Sequence, residues 1–123
     1  MNKICIVTGS RSEYGLLRWL IEEVKNDNDL HLQLVVTGTH LSPEYGLTHS
    51  AIEKDGYCID EKVEMQVSGN TQSAIVKSMG LCSLGISDVL NRLMPDVVIV
   101  LGDRYELLPI CSAALLMNIP IGH

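Results

Sequence analysis

The stretch Met94-Pro95-Asp96-Val97-Val98-Ile99-Val100-Leu101-Gly102-Asp103-Arg104-Tyr105-Glu106 constrains the fold more than any other part of the chain. Val97 to Leu101 are five consecutive apolar residues, four of them β-branched. A run of this kind reads as a strand covered on both faces, and such strands belong to parallel sheets. It stops at a glycine and delivers an acid and a base, Asp103 and Arg104, at its expected carboxyl end. In open parallel sheets the ligand crevice lies outside those ends. Asp103 and Arg104 are therefore the first candidates for chemistry.

The remaining chain alternates strand and helix signals. Ile4 to Thr8 reads as a first buried strand, broken by Gly9. Ser10 with Glu13 three residues later is a capping-box pattern. It opens a helix whose Leu16, Leu17, Leu20, Ile21 and Val24 are expected on one face, and the polar run Asn26 to Asp29 ends it. His31 to Thr37 is a second strand whose early alternation places it nearer an edge. A loop over 38–48 carries His40, and Ser50 with Glu53 suggests a second capping box on a short helix closed by Asp55-Gly56. Tyr57 to Val63 is a weak strand. After Ser68-Gly69-Asn70-Thr71, helical spacing joins Ile75, Met79, Cys82, Ile86, Val89, Leu90 and Leu93 up to Pro95. Gly80 and Gly85 within this helix each cost about 1 kcal/mol relative to alanine, which is read as the cost of close packing on the sheet. A last helix over roughly 106–117, with Pro109 in its first turn, leads into Ile119-Pro120-Ile121. This order predicts a single α/β domain over residues 1–123, with a doubly wound, mainly parallel sheet. The final strand lacks a covering helix, which suggests that the natural chain is longer.

Composition narrows the function classes. The 123 residues are 46% hydrophobic and 20% charged, without phenylalanine, so the core must be built from Leu, Ile, Val, Met and Ala. Net charge is −6 with no Lys/Arg cluster, which argues against a nucleic-acid or membrane surface. Any anionic ligand must then be held by a few placed bases. Cys5, Cys58, Cys82 and Cys111 form no C-x-x-C pair and suggest neither a disulfide framework nor a zinc site. The chain enters its first strand at once, and no apolar run approaches membrane-spanning length. A soluble, reduced, cytoplasmic protein is expected.

Gly9-Ser10-Arg11 lies where a strand gives way to a helix, and there free backbone N–H groups and the helix dipole favour an anion. Arg11 adds a fork of donors suited to phosphate oxygens. No Gly-Lys-Ser/Thr follows, so the turn is not a Walker A loop. The interval from Gly9 to Gly15 lacks the intermediate glycine of a dinucleotide fingerprint, and the second strand ends in Thr37-Gly38 rather than a ribose-binding acid. A phosphate-containing ligand other than NAD is favoured. Glu13 is assigned to capping. Asp103 has two readings, as an N-cap and as a proton-transfer group beside a leaving phosphate. Adjacent strands carrying the two arginine-bearing turns favour the second. His40 and His49 lack a ligand spacing, whereas His123 falls at the carboxyl end of the last strand, on the site side.

Together, Thr8-Gly-Ser-Arg-Ser-Glu-Tyr-Gly15, Thr37-Gly-Thr-His-Leu41 with Tyr45-Gly46, Val100-Leu-Gly-Asp-Arg-Tyr-Glu106 and Asn118-Ile-Pro-Ile-Gly-His123 resemble the hydrolysing UDP-N-acetylglucosamine 2-epimerases of sialic-acid synthesis. They are similar too to the relatives acting on UDP-N,N'-diacetylbacillosamine. The resemblance implies a two-lobed, glycosyltransferase-B-like enzyme, of which this chain matches most of the Rossmann-like N-terminal lobe. It implies a UDP-2-acetamido sugar as substrate and elimination of UDP followed by hydration, without metal or nicotinamide cofactor. A homo-oligomeric full-length protein is expected, since the unclosed last strand suggests contact with another chain or with further sequence, and the fragment by itself is expected to be inactive or nearly so. Residue by residue, the resemblance implies phosphate contacts for Arg11 and Arg104, a nucleotide-facing position for Gly15, a proton-transfer or sugar-positioning role for Asp103, and site-lining positions for His40 and His123. A non-hydrolysing epimerase and a non-catalytic nucleotide-binding domain are the alternative readings.

Overall fold

The computed structural model describes residues 2–38, 49–65, 71–102 and 105–123. Its elements are β1 (Asn2–Thr8), α1 (Arg11–Asn26), β2 (Leu30–Thr37), α2 (His49–Lys54), β3 (Glu61–Val63), α3 (Gln72–Leu93), β4 (Val97–Ile99), α4 (Leu107–Leu116) and β5 (Ile121–Gly122). The strands form one sheet in the order β3-β2-β1-β4-β5, and every pairing is parallel. The expected doubly wound α/β sheet is therefore present. Ile6 pairs with Leu34 on one side and Ile99 on the other, so β1 is the central strand. The chain leaves β1 towards β2 and later returns to β4 on the opposite side, which makes the β1/β4 boundary the switch point where such sheets open a crevice. At the amino ends, the Asp96 carboxylate accepts the Lys3 backbone N–H at 2.6 Å and pins β4 beside β1.

Successive strand residues supply opposite faces. Ile6, Leu34 and Val36 point into a cluster with Tyr14, Leu17, Ile21 and Val24 of α1 and Ile52 of α2. Cys5, Val7, Val35 and Val98 point the other way, against Cys82, Ile86, Val89 and Leu90 of α3 and Ile110 and Ala114 of α4. The apolar face expected for α1 needs correction. Leu17, Ile21 and Val24 are buried with Tyr14, but Leu16 is 72% exposed and Leu20 is also exposed. The spacing 14, 17, 21, 24 sets the buried stripe, and Leu16 and Leu20 fall beside it.

The two glycines of α3 differ as well. A Cβ on Gly85 would lie 2.7 Å from a Val63 methyl, so Gly85 does let α3 approach β3, whereas Gly80 has no atom within 4 Å and faces open space. Met94 caps α3 in the left-handed conformation, immediately before Pro95. At 22 residues, α3 is long and apolar enough to cross a membrane by length and composition, contrary to expectation. Its Ala74, Ser78, Cys82, Ile86 and Leu90 are buried against the rest of the molecule. Ser50 lies inside α2 rather than capping it, because α2 begins at His49.

Burial pushes the Cys5 and Cys82 thiols up from 9.0 to about 12, with the charge of Glu106 adding to the effect on Cys82. Unfolded thiols release their protons first as pH rises, so this contribution is intact below pH 9.0 and declines between there and about 12. Each thiol should remove about 1.4 kcal/mol of stability per pH unit within that window. The urea midpoint should therefore fall from about pH 9 upward. Cys82→Ala should make that fall shallower; an unchanged slope would assign the alkaline loss to other groups.

Candidate functional site at the carboxyl ends of the strands

The turn after β1 is built by its own sequence. Ser10 caps α1 in extended conformation, with its Oγ accepting the Glu13 backbone N–H at 3.3 Å. The same hydroxyl donates to the Glu13 carboxylate at 2.8 Å. Glu13 thus has the capping role assigned to it, and it is buried. This leaves the amino end of α1, with its dipole, at the carboxyl end of the central strand.

Two further chain segments meet that turn, and a third joins them. Gly38, directly after β2, has φ +63, and a Cβ there would lie 2.5 Å from the Gly9 carbonyl oxygen. The turns after β1 and β2 therefore touch backbone to backbone. Gly102, after β4, has φ +97, and a Cβ on it would stand 3.7 Å from the Glu13 carboxyl group. His123, just past β5, donates from Nε2 to the Gly102 carbonyl at 2.8 Å. The ends of β1, β2, β4 and β5 thus share one rim.

Glu106 packs against the turns after β1 and β2. It precedes α4, offers no side-chain cap to that helix and is only 1% exposed. Its Oε1 would be 2.7 Å from a Cβ on Gly9 and 3.1 Å from one on Gly38. The absent side chains of two glycines make the space that the carboxylate fills. The carboxylate is thus packed against the backbones of the turns after β1 and β2, beside the head of α4, and we expect it to fasten the three together. Glu106→Leu should destabilise the fold by about 3 kcal/mol, and Glu106→Gln by about 1 kcal/mol, because the amide keeps the shape but not the charge. Chemical denaturation would decide; equal stability of Glu106→Leu and the parent would contradict the fastening role.

Among the residues singled out from the sequence, Arg11 is the first residue of α1 and is exposed at the rim. Gly15 follows one turn later on the same helix face, exposed and with no atom within 4 Å of a Cβ. His123 reaches the turn after β4 through the bond just described. Asp103, Arg104 and His40 lie outside the described residues. The elements bearing Arg11 and His123 and the residue preceding Asp103 do meet. Glu106 is the position the sequence reading passed over, having read it only as a helix start. Its signal was a lone acid at the head of the otherwise apolar helix Leu107–Leu116.

The UDP-N-acetylglucosamine 2-epimerase family matches residues 22–123. The chain belongs to that family. Among 2-epimerase relatives, the Campylobacter jejuni protein named GDP/UDP-N,N'-diacetylbacillosamine 2-epimerase (hydrolyzing) is 47% identical over 122 residues, 99% of this chain and 32% of that protein. Polysialic acid biosynthesis protein P7 of Escherichia coli is 38% identical over 123 residues, covering all of this chain and 32% of that protein. The crystal structure of UDP-GlcNAc 2-epimerase from Neisseria meningitidis, bound to UDP-GlcNAc, superposes with a TM-score of 0.80 at 22% identity, over 98% of this chain and 31% of that one. At that identity the likeness speaks for the fold, which is the Rossmann-like one expected. The chain spans about a third of the length of these relatives.

Proposed function

We propose that the full-length protein is a hydrolysing 2-epimerase of a UDP-2-acetamido sugar, either UDP-N-acetylglucosamine or a diacetamido analogue. The observation that carries this reading is the rim itself. The positive end of α1, with Arg11 as its first residue, opens where the ends of β1, β2, β4 and β5 share one rim, with Glu106 packed against Gly9 and Gly38. That geometry suits a pyrophosphate. The identity with a relative whose name includes "hydrolyzing" favours free UDP over UDP-sugar as the released species.

In this reading Arg11 and Arg104 hold the phosphates, Gly15 leaves room for the nucleotide, and His40 and His123 line the site. UDP leaves C1 as the C2 proton is removed, with Asp103 beside the reacting carbons. Water then adds with inversion at C2, so UDP-sugar and water become UDP and a free 2-acetamido sugar. Residues 1–123 form most of the N-terminal lobe, and a second lobe completes the uridine site, so the chain alone should not turn over. The deciding experiment incubates the full-length protein with UDP-N-acetylglucosamine and UDP-N,N'-diacetylbacillosamine separately and analyses products by NMR. Free UDP with a C2-inverted sugar from either substrate is expected. An epimerised UDP-sugar with no free UDP would overturn the hydrolytic reading, and no reaction with either would overturn the substrate class.

A further inference from the structure

We propose that His123 is a positioning residue, whose imidazole holds the Gly102 carbonyl and so orients the peptide unit that leads into Asp103. The inference rests on Asp103 as the proton-transfer group of the proposed function. The hold itself stands without it. Nε2 of His123 lies 2.8 Å from the Gly102 carbonyl oxygen. A carbonyl only accepts, so this nitrogen carries the hydrogen and is engaged as a donor. That engagement suits an anchor better than a group waiting to take a proton.

The backbone explains why an anchor is needed at this point. Ile99 is in register with Gly122, and the Val100 N–H donates to the Gly122 carbonyl at 2.9 Å. The ring of His123, the next residue, then reaches the Gly102 carbonyl, so a side chain continues the tie between β5 and the end of β4. Gly102 has φ +97, and glycine has the widest backbone freedom of any residue. Left to itself it would let the following residue wander. A peptide unit is planar, so the Gly102 carbonyl and the N–H of the next residue turn as one rigid plane. That next residue is Asp103. Glu13 stands beside the same glycine: a Cβ on Gly102 would lie 3.7 Å from its carboxyl carbon. The Glu13 carboxylate is in turn bound by the Ser10 hydroxyl at 2.8 Å. The residue before the acid is thus tied to the end of β5 and bounded by the head of α1.

Substitutions at His123 in the full-length protein, with circular dichroism to verify folding, test the proposal. His123→Ala should lower kcat for UDP release on the order of 10- to 100-fold, the cost of a slightly misplaced reacting group. Its affinity for UDP should stay within a few-fold of the parent. His123→Gln places an amide N–H near the position of Nε2 but can relay no proton, and it should recover most of the lost rate. In an Asp103→Asn background, His123→Ala should cost less than about twofold more, because the group it positions is already gone. Hydrogen exchange over residues 100–105, measured without substrate, should quicken about tenfold in His123→Ala and far less in His123→Gln. A His123→Gln variant as slow as His123→Ala, or losses that multiply in the double variant, would make His123 a reacting group in its own right and overturn the proposal. Unchanged exchange in His123→Ala would overturn it too. A parent that turns over neither UDP-sugar would sink the 2-epimerase reading, and the exchange result would then decide the anchor alone.

Discussion

Gly38→Ala is expected to destabilise the chain by about 3 kcal/mol, a large share of what a domain of this size commands. Two effects add. The left-handed backbone at Gly38 is one that an L side chain adopts at a cost of about 1 kcal/mol. The new Cβ would also meet the Gly9 carbonyl oxygen at 2.5 Å and the Glu106 carboxylate at 3.1 Å. The first of these neighbours is backbone and cannot turn aside, so the turns after β1 and β2 must separate and Glu106 must shift with them. A control isolates the contact from the residue type. Gly15→Ala, within a helix and facing open space, should stabilise by about 1 kcal/mol. Urea unfolding of the two variants should move in opposite directions. In the full-length protein Gly38→Ala should also weaken UDP binding, because the turn that opens α1 is displaced. A Gly38→Ala variant as stable as the parent would mean that the two turns are not held against each other.

Much of this arrangement is legible in the sequence because it is set by local chemistry. The apolar run Val97–Leu101 needs two covered faces, and it lies beside β1 with helices on both sides. Ser10 and Glu13 announce the start of α1, and the bonds between them are those of a cap. Arg11 and His123 were placed at strand ends, and both positions fall on the rim. What the sequence does not disclose is tertiary. Leu16 and Leu20 share the helical periodicity of Leu17 and Ile21, and only packing against Leu34 and Ile52 decides which stripe is covered. Gly80 and Gly85 look alike in sequence, yet one approaches Val63 and the other meets nothing. Glu106 reads as a routine acid at a helix start. Its importance depends on Gly9 and Gly38, which lie 97 and 68 positions earlier and leave the carboxylate its space.

For the chemistry, the largest effect is expected at Asp103. In the full-length protein Asp103→Asn should lower the rate of UDP release on the order of 10²–10⁴-fold, the usual contribution of a positioned proton-transfer group. The amide matches the carboxylate in size but neither accepts nor delivers the proton that leaves C2 in the proposed reaction. Neighbours in the chain argue that the loss would be chemical rather than structural. Asp103 follows Gly102, whose carbonyl is bound by His123, and precedes Glu106, which is packed between two glycines. The urea midpoint and circular dichroism of Asp103→Asn should therefore match those of the parent. UDP affinity, assigned to Arg11 and Arg104, should stay within a few-fold of the parent, whereas Arg11→Ala should do the reverse and weaken UDP binding more than it slows bound substrate. If Asp103→Asn instead weakens UDP binding in step with turnover, the carboxylate positions the sugar nucleotide and the C2 proton is taken by another group. If both quantities are unchanged, the rim is a phosphate cradle and the reacting acid belongs to the second lobe.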